Sequence, residues 1–179
     1  MTKVRPALVL AAATVLSFGT AAAVELAPEP EVKAGFVLSI ARFTQWPLSG
    51  LQGRNIPLCL LGPGTLDAAT ESLEGRLVRG RTITVTQIRE VEEISSCAIV
   101  FIGDDQEAQL DAICEVAEEN STLTIADTEG FADRCVMINL VRTGRRVTFE
   151  VNQRAANRAR IRLSSELLKL GRLTGARNG

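Results

Sequence analysis

Three short apolar runs constrain this chain more than any other feature. Residues 56–61 (IPLCLL) close on Gly62-Pro63-Gly64 and residues 97–102 (CAIVFI) close on Gly103, and residues 121–126 (STLTIA), though half Ser and Thr, read as a third buried strand. A compact apolar run ended by glycine or proline suits a strand buried on both faces, entering a tight turn. Stretches of helical periodicity lie between them. Thr65 is placed to cap a helix reaching about Leu73, with Asp67 in its first turn. Asp104-Asp105 is placed to cap another, whose Leu110, Ile113, Cys114 and Ala117 share one face.

The remaining segments extend the alternation. Val32, Phe36, Ile40 and Phe43 recur at helical spacing until Trp46-Pro47 ends the helix. Residues 81–88 (RTITVTQI) alternate in a β-branched strand pattern. Residues 136–141 pair with 146–151 across Thr143-Gly144 as a hairpin, Asn152 or Gln153 opens a helix, and Ser164 or Ser165 caps a last one holding Leu167, Leu168 and Leu170. The expected fold is α/β. It is a single mixed, mostly parallel sheet of about six strands, flanked on both faces by about five helices, with a C-terminal hairpin.

The first 23 residues are expected to stand outside that fold. Lys3 and Arg5 precede an apolar run from Ala7 to Phe18, and Ala21-Ala22-Ala23 offers small residues for cleavage after Ala23. This is the three-part pattern of a secretory signal peptide, the other reading being an uncleaved membrane anchor, since Ala7 to Val24 is about long enough to span if tilted. Removal of the signal peptide leaves 156 residues carrying 18 basic and 21 acidic side chains, a net charge of −3. Nothing later approaches 18 consecutive apolar residues, so the mature chain is expected not to span a membrane. One domain, residues 31–173, is expected.

The sequence contains no histidine. Ser-His-Asp and Cys-His nucleophiles and His-ligated zinc are therefore excluded. No constellation of Asp, Glu or Arg suggests a catalytic centre, and neither a cofactor nor a metal site is expected. The four cysteines, at positions 59, 97, 114 and 135, contain no C-x-x-C pair, which argues against metal or thioredoxin-like chemistry. In an oxidising compartment they can pair, and sequence alone leaves all three pairings open.

Two motifs attract attention and carry little. The Gly62-Pro63-Gly64 turn lacks the third glycine of a dinucleotide fingerprint, because position 67 is Asp. Asp104 and Asp105 end a buried strand as a phosphoacceptor would, but export removes the kinase and helix capping is the expected role.

Charge is more informative. Between Glu90 and Glu119 there are ten acids and no base, whereas Arg142, Arg145, Arg146, Arg154, Arg158, Arg160 and Arg162 face a single acid, Glu150, giving segments of −10 and +6. Such asymmetry either steers a complementary partner or is compensated internally by the two segments lying side by side. Export argues against nucleic acid as the partner of the Arg cluster. Within this cluster Phe149 and Val151 share one strand face, and Glu150 and Asn152 the other. Glu150 and Asn152 either satisfy local backbone and Arg groups, Asn152 as a helix cap, or begin a contact surface continuing into the next helix. The single Trp46 either closes the core or anchors a dimer or partner surface, where Trp is enriched.

Several segments together resemble the YfiR/HmsC-like periplasmic family. They are VKAGFVLSIARFTQWP at 32–47, LCLLGPG at 58–64, SSCAIVFIG at 95–103, LTIAD at 123–127, GF at 130–131, MINLV at 137–141 and, most specific, VTFEVNQRAANRARIRLSSELLKL at 147–170. The resemblance implies a small exported protein that binds the periplasmic sensor region of an inner-membrane diguanylate cyclase and restrains cyclic di-GMP synthesis and biofilm formation. It also implies homodimers and release of repression by an outer-membrane lipoprotein. It places Cys59 and Cys97 where some relatives carry a disulfide. The second pair of those relatives is reduced here to Cys135, so a Cys114–Cys135 bond would be particular to this sequence.

The expected function is thus repression by protein contact, with Glu150, Asn152, Arg154, Arg158, Arg160, Arg162 and Trp46 as the candidate contact residues. The alternative from another class is a periplasmic small-molecule-sensing module that regulates another envelope partner, with its pocket at the carboxyl ends of the strands near Gly62 and Gly103.

Overall fold

The computed structural model describes residues 27–47, 51, 53–144 and 146–174. The region expected to be a signal peptide, residues 1–23, and Arg145 of the basic cluster lie outside them. The chain begins with helix α1 (Glu29–Phe43) and a two-residue strand β1 (Thr44–Gln45), then enters the sheet through β2 (Asn55–Leu61). After a one-turn helix α2 (Thr70–Leu73), β3 (Leu77–Val78) and β4 (Arg81–Ile88) form a hairpin, followed by β5 (Ile99–Ile102), α3 (Leu110–Asn120), β6 (Leu123–Ala126) and α4 (Phe131–Arg134). The C-terminal part is β7 (Ile138–Thr143), β8 (Arg146–Val151), α5 (Gln153–Arg158), β9 (Arg162–Leu163), α6 (Ser165–Leu170) and β10 (Arg172–Leu173).

Eight strands form one mixed sheet in the order β10-β8-β7-β6-β5-β2-β4-β3, while β1 and β9 pair separately. From β4 to β7 all neighbours are parallel, and the β3–β4 and β7–β8 hairpins add antiparallel pairs. This is the expected architecture with more strands. The additions β1, β3, β9 and β10 are two residues long, too short to leave a periodic signal in sequence.

The strand alternation divides the interior in two. Leu58 and Leu60 of β2 join Ile99, Phe101, Ile125 and Leu140 beneath α1, whereas Cys59, Leu61, Val100 and Ile102 meet Ile94, Leu110, Ile113 and Phe131 on the other face. A strand that contributes to both clusters reads as continuously apolar, which is why the short runs stand out. Each fully buried Ile or Leu contributes about 1.5–3 kcal/mol.

Three local expectations need correction. On α1 the fully buried stripe is Ala34, Val37, Ile40 and Ala41, with Phe36 and Phe43 only half-buried along its flank. Small residues let the helix approach the sheet closely, and the larger rings pack beside the contact, Phe36 edge-on to Phe149 at 5.9 Å. Thr65 does not cap a helix. The segment after β2 begins as a 3-10 turn at Asp67–Ala69, and Asp67 accepts the Gly64 N–H at 3.0 Å. Asp104 and Asp105 do not cap either: a 3-10 segment, Asp104–Gln109, starts after Gly103 without a side-chain cap bond and leads into α3. Ser164 does cap α6, accepting the Leu167 N–H at 3.2 Å, but Leu170 of that helix is 73% exposed.

Candidate functional site

The candidate contact residues are held by the hairpin and helix that follow β7. At the end of β8, Asn152 is 3% exposed and fully engaged. Its Oδ1 accepts the Ala155 N–H at 3.0 Å to cap α5, and its Nδ2 donates to the Ala132 carbonyl at 2.8 Å. Glu150, two residues earlier on the same face, is also buried and is paired with the guanidinium of Arg172, its register partner on β10. Both side chains thus have internal partners, and Asn152 explains why the helix starts where it does.

The arginines divide into two sets. Arg158 Nε donates to Glu118 Oε2 at 2.8 Å, Arg160 Nη2 donates to the Glu119 carbonyl at 3.3 Å, and Arg142 pairs with Glu29 at 2.9 Å. The acidic helix α3 therefore lies beside α5, and part of the charge asymmetry is compensated within the fold. Arg154 on α5, Arg162 on β9 and Arg146 on β8 are exposed and make no ion pair among the described residues. These three are the outward-facing members of the basic segment. A groove of about 540 Å³ runs along this contact, lined by Asp111, Glu115, Glu118 and Glu119 together with Arg158 and Arg160.

Trp46 is half-buried against the core, and its Nε1 donates to the Ala98 carbonyl at 3.0 Å. Its neighbour Gln45 pairs with Arg162 across β1 and β9, so the indole and the end of the basic segment are brought to one region of the molecule. The C-terminal segment folds back onto the end of α1 there.

Both cysteine pairs are disulfides. Cys59–Cys97 joins β2 to the residue before Ala98 with Cα atoms 5.9 Å apart, and is almost completely buried. Cys114–Cys135 joins α3 to the residue after α4 with Cα atoms 6.0 Å apart, and is half-exposed at the wall of the charged groove.

Sequence reading missed a buried polar cluster. Lys33 is 4% exposed in the middle of α1, with Nζ 2.7 Å from Asp127 Oδ2, 2.7 Å from Glu29 Oε1 and 3.3 Å from Thr65 Oγ1. Burial pulls the Lys33 ammonium down, but its hydrogen bonds to Asp127 and Glu29 outweigh this and leave its pKa above the ordinary lysine value. The same hydrogen bond, opposed by desolvation, holds the Glu29 carboxyl below the usual range. The cluster ties α1 to the carboxyl ends of β2 and β6. The one local signal for it is the i,i+4 spacing of Glu29 and Lys33, which sequence reading did not single out, and Thr65 and Asp127 come from distant segments.

Near Gly62 and Gly103, where the alternative reading places a ligand pocket, the turn after β2 packs closely on the end of β5. A Cβ on Gly103 would overlap the Pro63 carbonyl oxygen, and one on Gly62 would overlap the Asp105 carboxylate. Among the described residues no group of three or more His, Cys, Asp and Glu is arranged to hold a metal, and no helix is long and apolar enough to cross a membrane.

Fold and surface together define a two-faced α/β domain, doubly cross-linked, with a basic C-terminal surface set against an acidic helix. Over residues 30–172 the sequence matches the YfiR/HmsC-like family, and the chain belongs to that family, which is regulatory rather than catalytic. Its members are periplasmic, and two disulfides are consistent with an oxidising compartment. A comparison with the curated proteins finds no match. Among solved structures the chain is similar to a conserved domain protein of Vibrio cholerae O1 biovar El Tor, at 9% identity and a TM-score of 0.52, covering 82% of this chain and 60% of that one. It is also similar to an ABC domain from Streptococcus pneumoniae in complex with L-Trp, at 7% identity and a TM-score of 0.52, covering 81% of this chain and 60% of the other. The chain thus spans 60% of the length of each, and at these identities the likeness concerns the fold alone.

Proposed function

We propose that this protein is an exported negative regulator: residues 1–23 direct it to the periplasm, and the mature domain, residues 31–173, binds the periplasmic sensor region of an inner-membrane diguanylate cyclase. Binding restrains cyclic di-GMP synthesis and biofilm formation without chemistry on a substrate. The observation that carries this reading is the family match across residues 30–172. The contact surface in this proposal is the outward basic set, Arg154 and Arg162, with Trp46 beside it, while Arg158 and Arg160 hold the surface against α3. Glu150 and Asn152 act from beneath by fixing the course of β8 and the start of α5. The active form is a homodimer, and an outer-membrane lipoprotein relieves the repression.

The test is cellular cyclic di-GMP in a deletion strain, complemented in parallel by the full-length gene and by a version lacking residues 2–23. A rise on deletion, reversed only by the version that keeps those residues, is the expected result. An unchanged nucleotide level under conditions of expression, or rescue by the shortened version, overturns the reading.

A further inference from the structure

Most of the outer edge of β4 has no strand beside it. One side of β4 follows β2 along its length, but on the other side β3 reaches only Arg81 and Thr82. The Thr82 N–H donates toward β2, to the Arg54 carbonyl, so by alternation the backbone of Ile83, Val85 and Gln87 faces outward. Ile83 is taken by the loop after α2: its N–H donates to the Arg76 carbonyl at 2.8 Å, and its carbonyl accepts the Gly75 N–H at 3.0 Å. Past the end of the strand, the Arg89 N–H donates at 2.9 Å to Glu93 Oε2, part of the capping box of the next turn. Between them, the Val85 N–H donates to Glu74 Oε2 at 2.6 Å.

Nothing local calls for that last bond. Glu74 is exposed and makes no ion pair among the described residues, and Gly75 and Arg76 already tie the end of α2 to β4. A charged group set on a free strand edge is a device that keeps sheets from pairing edge to edge. This strand is of the kind that needs one. Residues 82–88 (TITVTQI) carry no charge and no proline, and six of the seven are β-branched. The same run from a second copy fits the gap. About a two-fold axis at Thr86, Val85 of each copy stands opposite Gln87 of the other, Thr86 meets Thr86, and no charges oppose each other within the run. Only the backbone of Val85 and Gln87 is used, the stretch that the partners of Ile83 and Arg89 leave open.

We propose that the outer edge of β4 is a pairing surface for a second copy of this chain, and that Glu74 holds it closed by occupying the Val85 N–H. Pairing has to surrender that charge-assisted bond in both copies. The guard keeps any dimer of the regulator off this edge, and it stands independently of the regulatory reading.

The test compares the mature protein with its Glu74→Ala variant by sedimentation over a range of concentrations. The variant is expected to fold as the parent does and to associate at least about tenfold more strongly. Adding Thr86→Lys, at an exposed position that pairing would set against itself, is expected to return association to the parent's level. Hydrogen exchange of the unsubstituted protein gives a second readout, with the Val85 amide exchanging more slowly than that of Gln87. Association of E74A no stronger than the parent's, association that Thr86→Lys leaves in place, a Val85 amide as fast as that of Gln87, or an E74A protein that does not fold overturns the proposal. None of these outcomes bears on cyclic di-GMP, so the failure of either reading leaves the other standing.

Discussion

Arg158 Nε lies 2.8 Å from Glu118 Oε2, so the most basic helix of the protein is set against the most acidic one. One residue of the same helix, Arg154, is left facing outward. The two positions therefore have different roles despite sitting one helical turn apart.

Reversing both, Arg154→Glu with Arg158→Glu, is expected to abolish repression with the fold intact, and the single variants separate the causes. Arg154→Glu should raise cyclic di-GMP to the deletion level without changing the unfolding midpoint. Arg158→Glu places a like charge beside Glu118 and should cost no more than about 1 kcal/mol, since both side chains are partly exposed. Adding Glu118→Arg should restore that loss. Normal repression by the Arg154→Glu variant would remove the basic surface from the mechanism.

Lys33 supports a second prediction. Lys33→Met leaves Asp127, whose side chain is 8% exposed, without its cation, and should destabilise the fold by about 3 kcal/mol in denaturant unfolding. The pH dependence follows from the shifts. Glu29 binds its proton less readily when folded, so the stability it contributes is present above its ordinary value of 4.5 and is lost as pH falls through the lowered folded value. Lys33 holds its proton more tightly when folded, so its contribution is present below 10.5 and is lost as pH rises through the raised value. In the Lys33→Met variant both losses should flatten, which stability measured from pH 3 to 11 checks.

This cluster also shows where sequence reading stops. The strands β2 and β5 at the sheet centre were legible because they contribute to both interior clusters, and burial on two faces leaves an apolar run. The Asn152 cap was legible because a cap is local, its acceptor and donor three residues apart. Thr65 was misread as a cap because its side chain is engaged by Asp127, sixty-two residues away. In the charged segments, composition left internal pairing and a partner surface as alternatives, and only geometry could say that Arg158 and Arg160 turn toward α3 while Arg154 does not.

The disulfides should differ in both stability and access. Cys59–Cys97 closes a separation of 38 residues and Cys114–Cys135 one of 21, for which chain entropy gives about 4 and about 3 kcal/mol. Replacing the first pair by serine adds the cost of two buried hydroxyls, so C59S/C97S should lose more stability than C114S/C135S in denaturant unfolding. Mild dithiothreitol should release two thiols, from Cys114 and Cys135, before the other two. Peptide mapping of partly reduced protein that finds Cys59 and Cys97 free first would contradict the assigned burial.

Gly103 gives the sharpest test of how the strand ends are packed. Its φ of −68° is open to any residue, so a substitution there is resisted by space alone. An added methyl would overlap the Pro63 carbonyl and stand 3.1 Å from that of Leu61, and both are backbone atoms that cannot swing aside. Gly103→Ala must then separate the turn after β2 from the end of β5, breaking the Gly103 N–H bond to Leu61 O, and should cost more than about 2 kcal/mol. Gly35→Ala is the control. That site lies in α1 with nothing within 4 Å of the new methyl, and removing a helical glycine should gain about 0.5–1 kcal/mol. Thermal unfolding of the two variants should therefore move in opposite directions, and a Gly103→Ala protein as stable as the parent would mean that the turn after β2 does not pack against β5.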